Sequence, residues 1–174
     1  MVVNLTNVFT REGQVQQLEA SYDADVLTNR LGVFPIKEKS PVVLQFFNKG
    51  QSKVLVEGHT TVTVVFACDR CLENVDHTFD LSFAYEVVSP DASENSSDEE
   101  GLCFMEGYYI NVDSLINNEI LLNWPMKVLC RLDCKGICKV CGKNLNEGDC
   151  DCDNFVPDPR MAAIKDIFNA NKEV

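Results

Sequence analysis

The sequence predicts an α+β fold: a mostly antiparallel β-sheet with two short helices and a C-terminal zinc-knuckle segment. Three observations lead there. Residues 53 to 67 alternate Val54, Val56, Val62, Val64 and Phe66 with Glu57, His59, Thr61 and Thr63, the period of two of a half-buried strand. The alternation resumes with Phe79, Leu81, Phe83, Tyr85 and Val87 against Asp80, Ser82, Ala84 and Glu86, so the turn-like Cys68-Asp-Arg-Cys71-Leu-Glu-Asn74 joins two long antiparallel strands. Finally, Cys134, Cys138, Cys141, Cys150 and Cys152 crowd one short stretch. Tight cysteine pairs on turns let a short backbone wrap one ion with little loop entropy left to lose.

The remaining elements follow in order. Weaker strand signals lie at residues 2 to 9, 14 to 22 and 41 to 47, punctuated by Gly13, Gly32, Pro35, Pro41 and Gly50. Residues 89 to 101 carry five acidic side chains, no basic one and nothing apolar larger than alanine, which predicts a flexible acidic loop. Gly107-Tyr-Tyr-Ile-Asn111 reads as a short strand. Asp113 is placed to cap a helix carrying Leu115, Ile116, Ile120, Leu121 and Leu122 until Pro125 stops it. Trp124, at its end, reads as a packing residue. A second helix is expected after Pro157-Asp-Pro-Arg160, with Met161, Ile164, Ile167 and Phe168 along one side. The expected organisation is an antiparallel β-rich domain over residues 1–126 and a cysteine-rich zinc-binding segment with the C-terminal helix over 127–174.

Composition narrows the function classes. A chain of 174 residues that is 45% hydrophobic can build a genuine core. Its formal charge of -12 argues against coating nucleic acid by electrostatics alone, which needs clustered Lys and Arg, and favours basic protein partners. No apolar run reaches membrane-spanning length and no leader-like stretch opens the chain. A soluble cytoplasmic protein without a membrane partner is expected. In a reducing compartment nine cysteines point to metal ligands, redox chemistry or buried thiols before disulfides.

The cysteines fall into four pairs, Cys68/Cys71, Cys130/Cys134, Cys138/Cys141 and Cys150/Cys152, with Cys103 left over. Cys138, Cys141, Cys150 and Cys152 form the stronger candidate zinc site. Its Cys-x-x-Cys-Gly run is a knuckle whose glycine permits the tight turn that aims backbone N–H groups at thiolate sulfur. Gly148 and Asn146 supply the return turn. A possible second site joins Cys68 and Cys71, at the hairpin tip, to Cys130 and Cys134, since two thiols alone make a poor zinc site. Cys130 or Cys134 has two other destinations, the tail cluster or a free thiol.

Catalytic readings have less to stand on. A cytoplasmic thiol oxidoreductase or redox sensor using Cys68 and Cys71 is the alternative, but such a pair belongs at a helix N-terminus, whereas this one lies between strands. An all-thiolate shell offers neither an open coordination position nor a general base. His59 and His77 sit in strand-like segments without metal-ligand spacing. No phosphate loop, dinucleotide fingerprint or nucleophile–base arrangement is visible; no enzyme is expected. Lys127, Arg131, Lys135, Lys139 and Lys143 face only Asp133 across residues 127 to 143. They either neutralise the metal centre, at about -2 for each four-thiolate zinc site, or contact RNA phosphate.

The hairpin Cys68-Asp-Arg-Cys71-Leu-Glu, the phrase Trp124-Pro-Met, the block from Asp133 to Asn146, and Cys150-Asp-Cys152 with Asp158-Pro-Arg160 resemble the YceD family of large ribosomal RNA subunit accumulation proteins. The resemblance spans roughly residues 50 to 170, and its most specific part is the terminal block with its Cys-Gly knuckle and Asn144-Leu-Asn146 phrase. It implies a cytoplasmic, bacterial-type, non-catalytic factor in ribosome biogenesis. Such a factor supports accumulation or processing of large-subunit ribosomal RNA or its precursor, directly or through a basic ribosomal protein.

Overall fold

A computed structural model describes residues 1–95 and 103–152. The helix expected after Arg160 and most of the acidic half of the 89–101 stretch lie outside the described residues. The chain divides into two compact units: Met1–Ala67 with Asn74–Val128, and Cys68–Glu73 with the chain from Leu129 onward.

The first unit is built on two strands, β6 (Lys53–Ala67) and β7 (Asn74–Val88), paired antiparallel over their whole length from Lys53↔Val88 to Ala67↔Asn74. The even-numbered residues Val54, Val56, Val62, Val64 and Phe66 of β6 are buried, as are Phe79, Leu81, Phe83 and Val87 of β7, in keeping with the alternation. The other edge of β6 is shared. β5 (Val42–Gly50) takes the half near His59 and below, and β4 (Gly32–Lys39) takes Val62 to Val64. Pro41 has no N–H to give the ladder at the join, and Ser40 substitutes for it. Ser40 N–H donates to Thr61 O at 2.9 Å, and Ser40 Oγ accepts Thr61 N–H at 2.8 Å.

β2 (Val15–Ala20) pairs β5, and β3 (Val26–Asn29) pairs β4, both antiparallel. A second, three-stranded sheet orders β1 (Val2–Asn4), β9 (Tyr109–Asn111) and β8 (Met105–Glu106). The structure is thus mostly antiparallel sheet with two helices among the described residues. The β3–β4 hairpin carries no strand signal in the sequence because Gly32 and Pro35 interrupt its alternation. Residues 2 to 9 do not form one strand either. Asn4 Oδ1 accepts Thr6 N–H at 2.8 Å, an Asx turn that bends the chain into the one-turn helix α1 (Thr6–Phe9) and buries Leu5 and Val8.

Helix α2 (Val112–Leu122) begins two residues earlier than a cap at Asp113 requires. Asn111 is the capping residue, in extended conformation, with its Oδ1 accepting Ser114 N–H at 3.2 Å. Asp113 instead accepts Asp23 N–H at 2.9 Å and pairs with the amino group of Met1. Leu115, Ile116 and Ile120 enter the core as expected, but Leu121 and Leu122 are 47% and 68% exposed. A helix turning about 100° per residue cannot aim five such positions inward. Glu119 occupies the buried face, with the Tyr85 hydroxyl donating to its Oε1. Trp124 packs edge-on against Phe34 and Phe66, at ring distances of 5.0 and 5.1 Å, a packing role. Beyond β7, Pro90–Asn95 forms a 3-10 turn and Asp91 accepts the Tyr108 hydroxyl at 2.7 Å, so the first part of the acidic stretch is structured where a loop is expected.

Candidate metal centres

The second unit contains two turns of one kind. In the first, Cys68 N–H donates to Glu73 O at 2.8 Å and Leu72 N–H donates to Cys68 O at 2.9 Å. In the second, Cys138 N–H donates to Lys143 O at 2.8 Å and Gly142 N–H donates to Cys138 O at 2.9 Å. The residue after each second cysteine is left-handed, Leu72 at φ 63° and Gly142 at φ 74°. Each turn therefore presents two sulfurs on one side of a closed backbone loop. Glycine fits the left-handed position without strain, while leucine there costs about 1–2 kcal/mol.

Both turns meet a second cysteine pair. The sulfurs of Cys68, Cys71, Cys130 and Cys134 all lie within 4.8 Å of one another, and so do those of Cys138, Cys141, Cys150 and Cys152. Within the first group, Cys68 Sγ is 3.8 Å from Cys134 Sγ and Cys71 Sγ is 3.4 Å from Cys130 Sγ. A tetrahedral shell with metal–sulfur bonds of about 2.3 Å sets its sulfurs roughly 3.8 Å apart, whereas a disulfide needs about 2.05 Å. No disulfide forms among the described residues, and each group can hold a metal ion. Cys130 and Cys134 go to the hairpin pair, leaving the tail pairs to each other; Cys103 is exposed and belongs to neither group.

Polar groups around the sulfurs favour thiolate. Burial acts to raise the Cys68 thiol, but the N–H groups of Arg70, Cys130 and Cys71 outweigh it and bring it down to about 6. The N–H groups of Cys141 and Val140 bring Cys138 down to about 6 as well, Val140 N–H lying 3.4 Å from its sulfur. The Asn146 side chain, donating through Nδ2 at 3.3 Å, lowers Cys134. Other members are pushed the opposite way; Cys152 rises to about 12 beside Cys141. Four thiols this close cannot all ionise unless a cation shares their charge. The donor set, the spacing and the N–H groups aimed at sulfur all fit a metal ion.

Several residues that the cysteine spacing does not reveal hold this frame. Arg70 Nη1 donates to Cys134 O at 2.7 Å, and Ile137 N–H donates to Arg70 O at 3.1 Å. Gly136 is left-handed at φ 81°, and a Cβ there would meet Arg70 O at 3.0 Å, so only glycine passes that carbonyl without displacement. Asn144 and Asn146, visible in the sequence only as a phrase, are the support of Glu73 and Cys134.

The five basic residues are all exposed. Lys127 belongs to the first unit; Arg131, Lys135, Lys139 and Lys143 belong to the second. Lys135 lies 3.6 Å from Asp149, Arg131 3.9 Å from Asp133, and Lys143 Nζ donates to Asp149 O at 2.8 Å. On the first unit, His59 Nδ1 is 3.2 Å from Ser82 Oγ and 3.5 Å from Asp80. A catalytic relay needs serine and carboxylate on opposite ring nitrogens; here both address the same one on an exposed sheet face. His77 packs edge-on against Phe79 and Phe66.

A family model described as Large ribosomal RNA subunit accumulation protein YceD matches residues 56–168, a span that contains both four-cysteine groups. The chain belongs to the YceD family. An uncharacterized protein of Mycobacterium leprae is 30% identical over 96 residues, 53% of this chain and 43% of that protein. Uncharacterized proteins of Mycobacterium bovis and Mycobacterium tuberculosis are 29% identical over 90 residues, 51% of this chain and 44% of theirs. The match thus spans less than half the length of these relatives. No solved structure matches significantly. The YceD family's name ties it to accumulation of the large ribosomal subunit's RNA, and no helix among the described residues is long and apolar enough to cross a membrane.

Proposed function

We propose that this chain is a cytoplasmic, non-catalytic ribosome-biogenesis factor, a zinc-stabilised binding module that supports accumulation or processing of large-subunit ribosomal RNA. The observation that carries the proposal is the YceD match over a span containing two groups of four converging thiols. Soft thiolate donors in a four-sulfur set select zinc over hard cations. Four protein ligands fill the shell and leave no open position for substrate, which suits a structural ion. In this reading Cys138, Cys141, Cys150 and Cys152 hold one zinc ion and Cys68, Cys71, Cys130 and Cys134 the other.

The partner is large-subunit ribosomal RNA or its precursor, met directly or through a basic ribosomal protein. Lys127, Arg131, Lys135, Lys139 and Lys143 are the residues for phosphate contact. A chain of charge -12 offers its remaining surface to basic protein. Against the oxidoreductase alternative, Cys68 and Cys71 are both buried and sit among two further thiols, whereas a redox pair needs one accessible sulfur.

Pull-down of the tagged chain from lysate at two salt concentrations, with and without ribonuclease, tests the reading. Recovery of large-subunit RNA or ribosomal protein is expected. Loss of the catch after ribonuclease assigns the contact to RNA, persistence assigns it to protein, and absence of both classes under all four conditions refutes the ribosomal role. Metal analysis of protein purified without chelator is expected to give two zinc ions per chain.

A further inference from the structure

The Asn144-Leu145-Asn146 segment lies in the loop that closes the tail group, between Cys141 and Cys150, yet its side chains serve the hairpin group. Asn146 Nδ2 donates to Cys134 Sγ at 3.3 Å and to Asn144 Oδ1 at 2.9 Å. Asn144 Nδ2 donates to Glu73 Oε1 at 2.7 Å, and Glu73 Oε2 lies 3.5 Å from Cys71 Sγ. Asn146 Oδ1 accepts Lys135 N–H at 2.8 Å. A line of side-chain hydrogen bonds therefore leaves one sulfur of the hairpin group, crosses the tail loop and returns to another. The backbone follows it: Ile137 bridges Asn144, and Leu145 N–H donates to Gly136 O at 2.8 Å.

This arrangement has an energetic consequence. An ion held by Cys134 fixes the Asn146 end of the line, and the turn it closes around Cys68 and Cys71, in which Cys68 N–H donates to Glu73 O, fixes the Glu73 end, so residues 144 to 146 become ordered. Ordering loop residues costs backbone entropy, and the tail group then closes around its ion with part of that cost already met. By linkage the effect is reciprocal. We propose that Asn144 and Asn146 couple the two four-thiol groups, so that an ion in one raises the affinity of the other. The inference rests on the reading that both groups bind metal, and adds that they do not bind it independently.

The test uses the full chain, stripped of metal under reductant and titrated with Co2+, with thiolate-to-cobalt absorption and native mass spectrometry as readouts. Cys68→Ser with Cys71→Ser is expected to weaken Co2+ binding at the intact tail group about tenfold, within the usual range of coupling between sites. In an Asn144→Ala, Asn146→Ala background, which retains every thiol, the same cysteine substitutions are expected to have no further effect on the tail group. Glu73→Gln keeps an acceptor for Asn144 and is expected to keep the coupling, which guards against simple misfolding as the cause. Tail affinity unchanged by Cys68→Ser and Cys71→Ser overturns the coupling while leaving two metal sites in place. Absence of cobalt–thiolate absorption in the unsubstituted chain overturns the metal reading itself, and the coupling with it.

Discussion

Cys68 and Cys134 are separated by 66 positions, so the hairpin group draws on two distant segments, whereas Cys138, Cys141, Cys150 and Cys152 follow one another within a single loop. Burial differs in the same sense. Cys68, Cys71 and Cys134 are buried, while in the tail group only Cys138 is, and Cys141 is exposed. The cysteine turns are otherwise alike in their hydrogen bonds. One local device thus serves two purposes: in the tail group it closes a short loop, and in the hairpin group it ties the Cys68–Glu73 tip to the chain beyond Leu129.

Removing a ligand from each group should therefore have unequal effects. Cys134→Ser takes a buried sulfur that also accepts from Asn146 and is expected to empty the hairpin group and strip hydrogen-exchange protection from residues 129–137 and 144–146, since the binding energy of a structural metal, on the order of 10 kcal/mol, is folding energy. Cys141→Ser removes an exposed sulfur and is expected to lower metal content from two ions to one while leaving the hairpin group filled. Hydrogen exchange across residues 129–152, read beside metal content, checks both. Equal loss of protection in the two variants would mean that span and burial do not matter here.

The same contrast predicts an order of chemical attack. An alkylating reagent should label exposed Cys103 first, then Cys141, and reach Cys68 and Cys134 last. With a chelator present, metal should leave in two phases, the faster from the tail group, because release needs only a small local opening there. Mass spectrometry of labelled peptides over time checks the order, and simultaneous labelling of Cys68 and Cys141 would contradict it.

How much of this was legible depends on how local the cause is. The β6–β7 hairpin was visible because each residue's face is set by its own parity along the strand. The cysteine turns were visible for a similar reason, since two ligands and a turn fit within a few residues. The β3–β4 hairpin was not, because Pro35 is tolerated opposite Val26 only where strand pairing supplies the context. Burial of Glu119 on α2 was equally hidden, as it depends on the Tyr85 hydroxyl arriving from β7. Bringing Cys68 and Cys71 to Cys130 and Cys134 could be argued from ligand number alone, but the support of Cys134 by Asn146 could not, because an amide in a loop looks the same in sequence whether it faces water or sulfur.

The finest difference between the turns is their left-handed residue. Gly142 has open space around a notional Cβ, so Gly142→Ala is expected to lose about 1 kcal/mol from backbone strain alone. Leu72→Gly runs the exchange in reverse. Leu72 is 65% exposed at φ 63°, so glycine removes strain of about 1–2 kcal/mol and little packing. It also frees the unfolded chain by roughly 0.5–1 kcal/mol. The balance is a net gain of a few tenths to about 1 kcal/mol, measurable as a slightly higher midpoint in urea. A loss of stability in Leu72→Gly would mean that the exposed leucine side chain is held by contacts that outweigh its strained backbone. The two cysteine turns would then differ in packing and not in backbone alone.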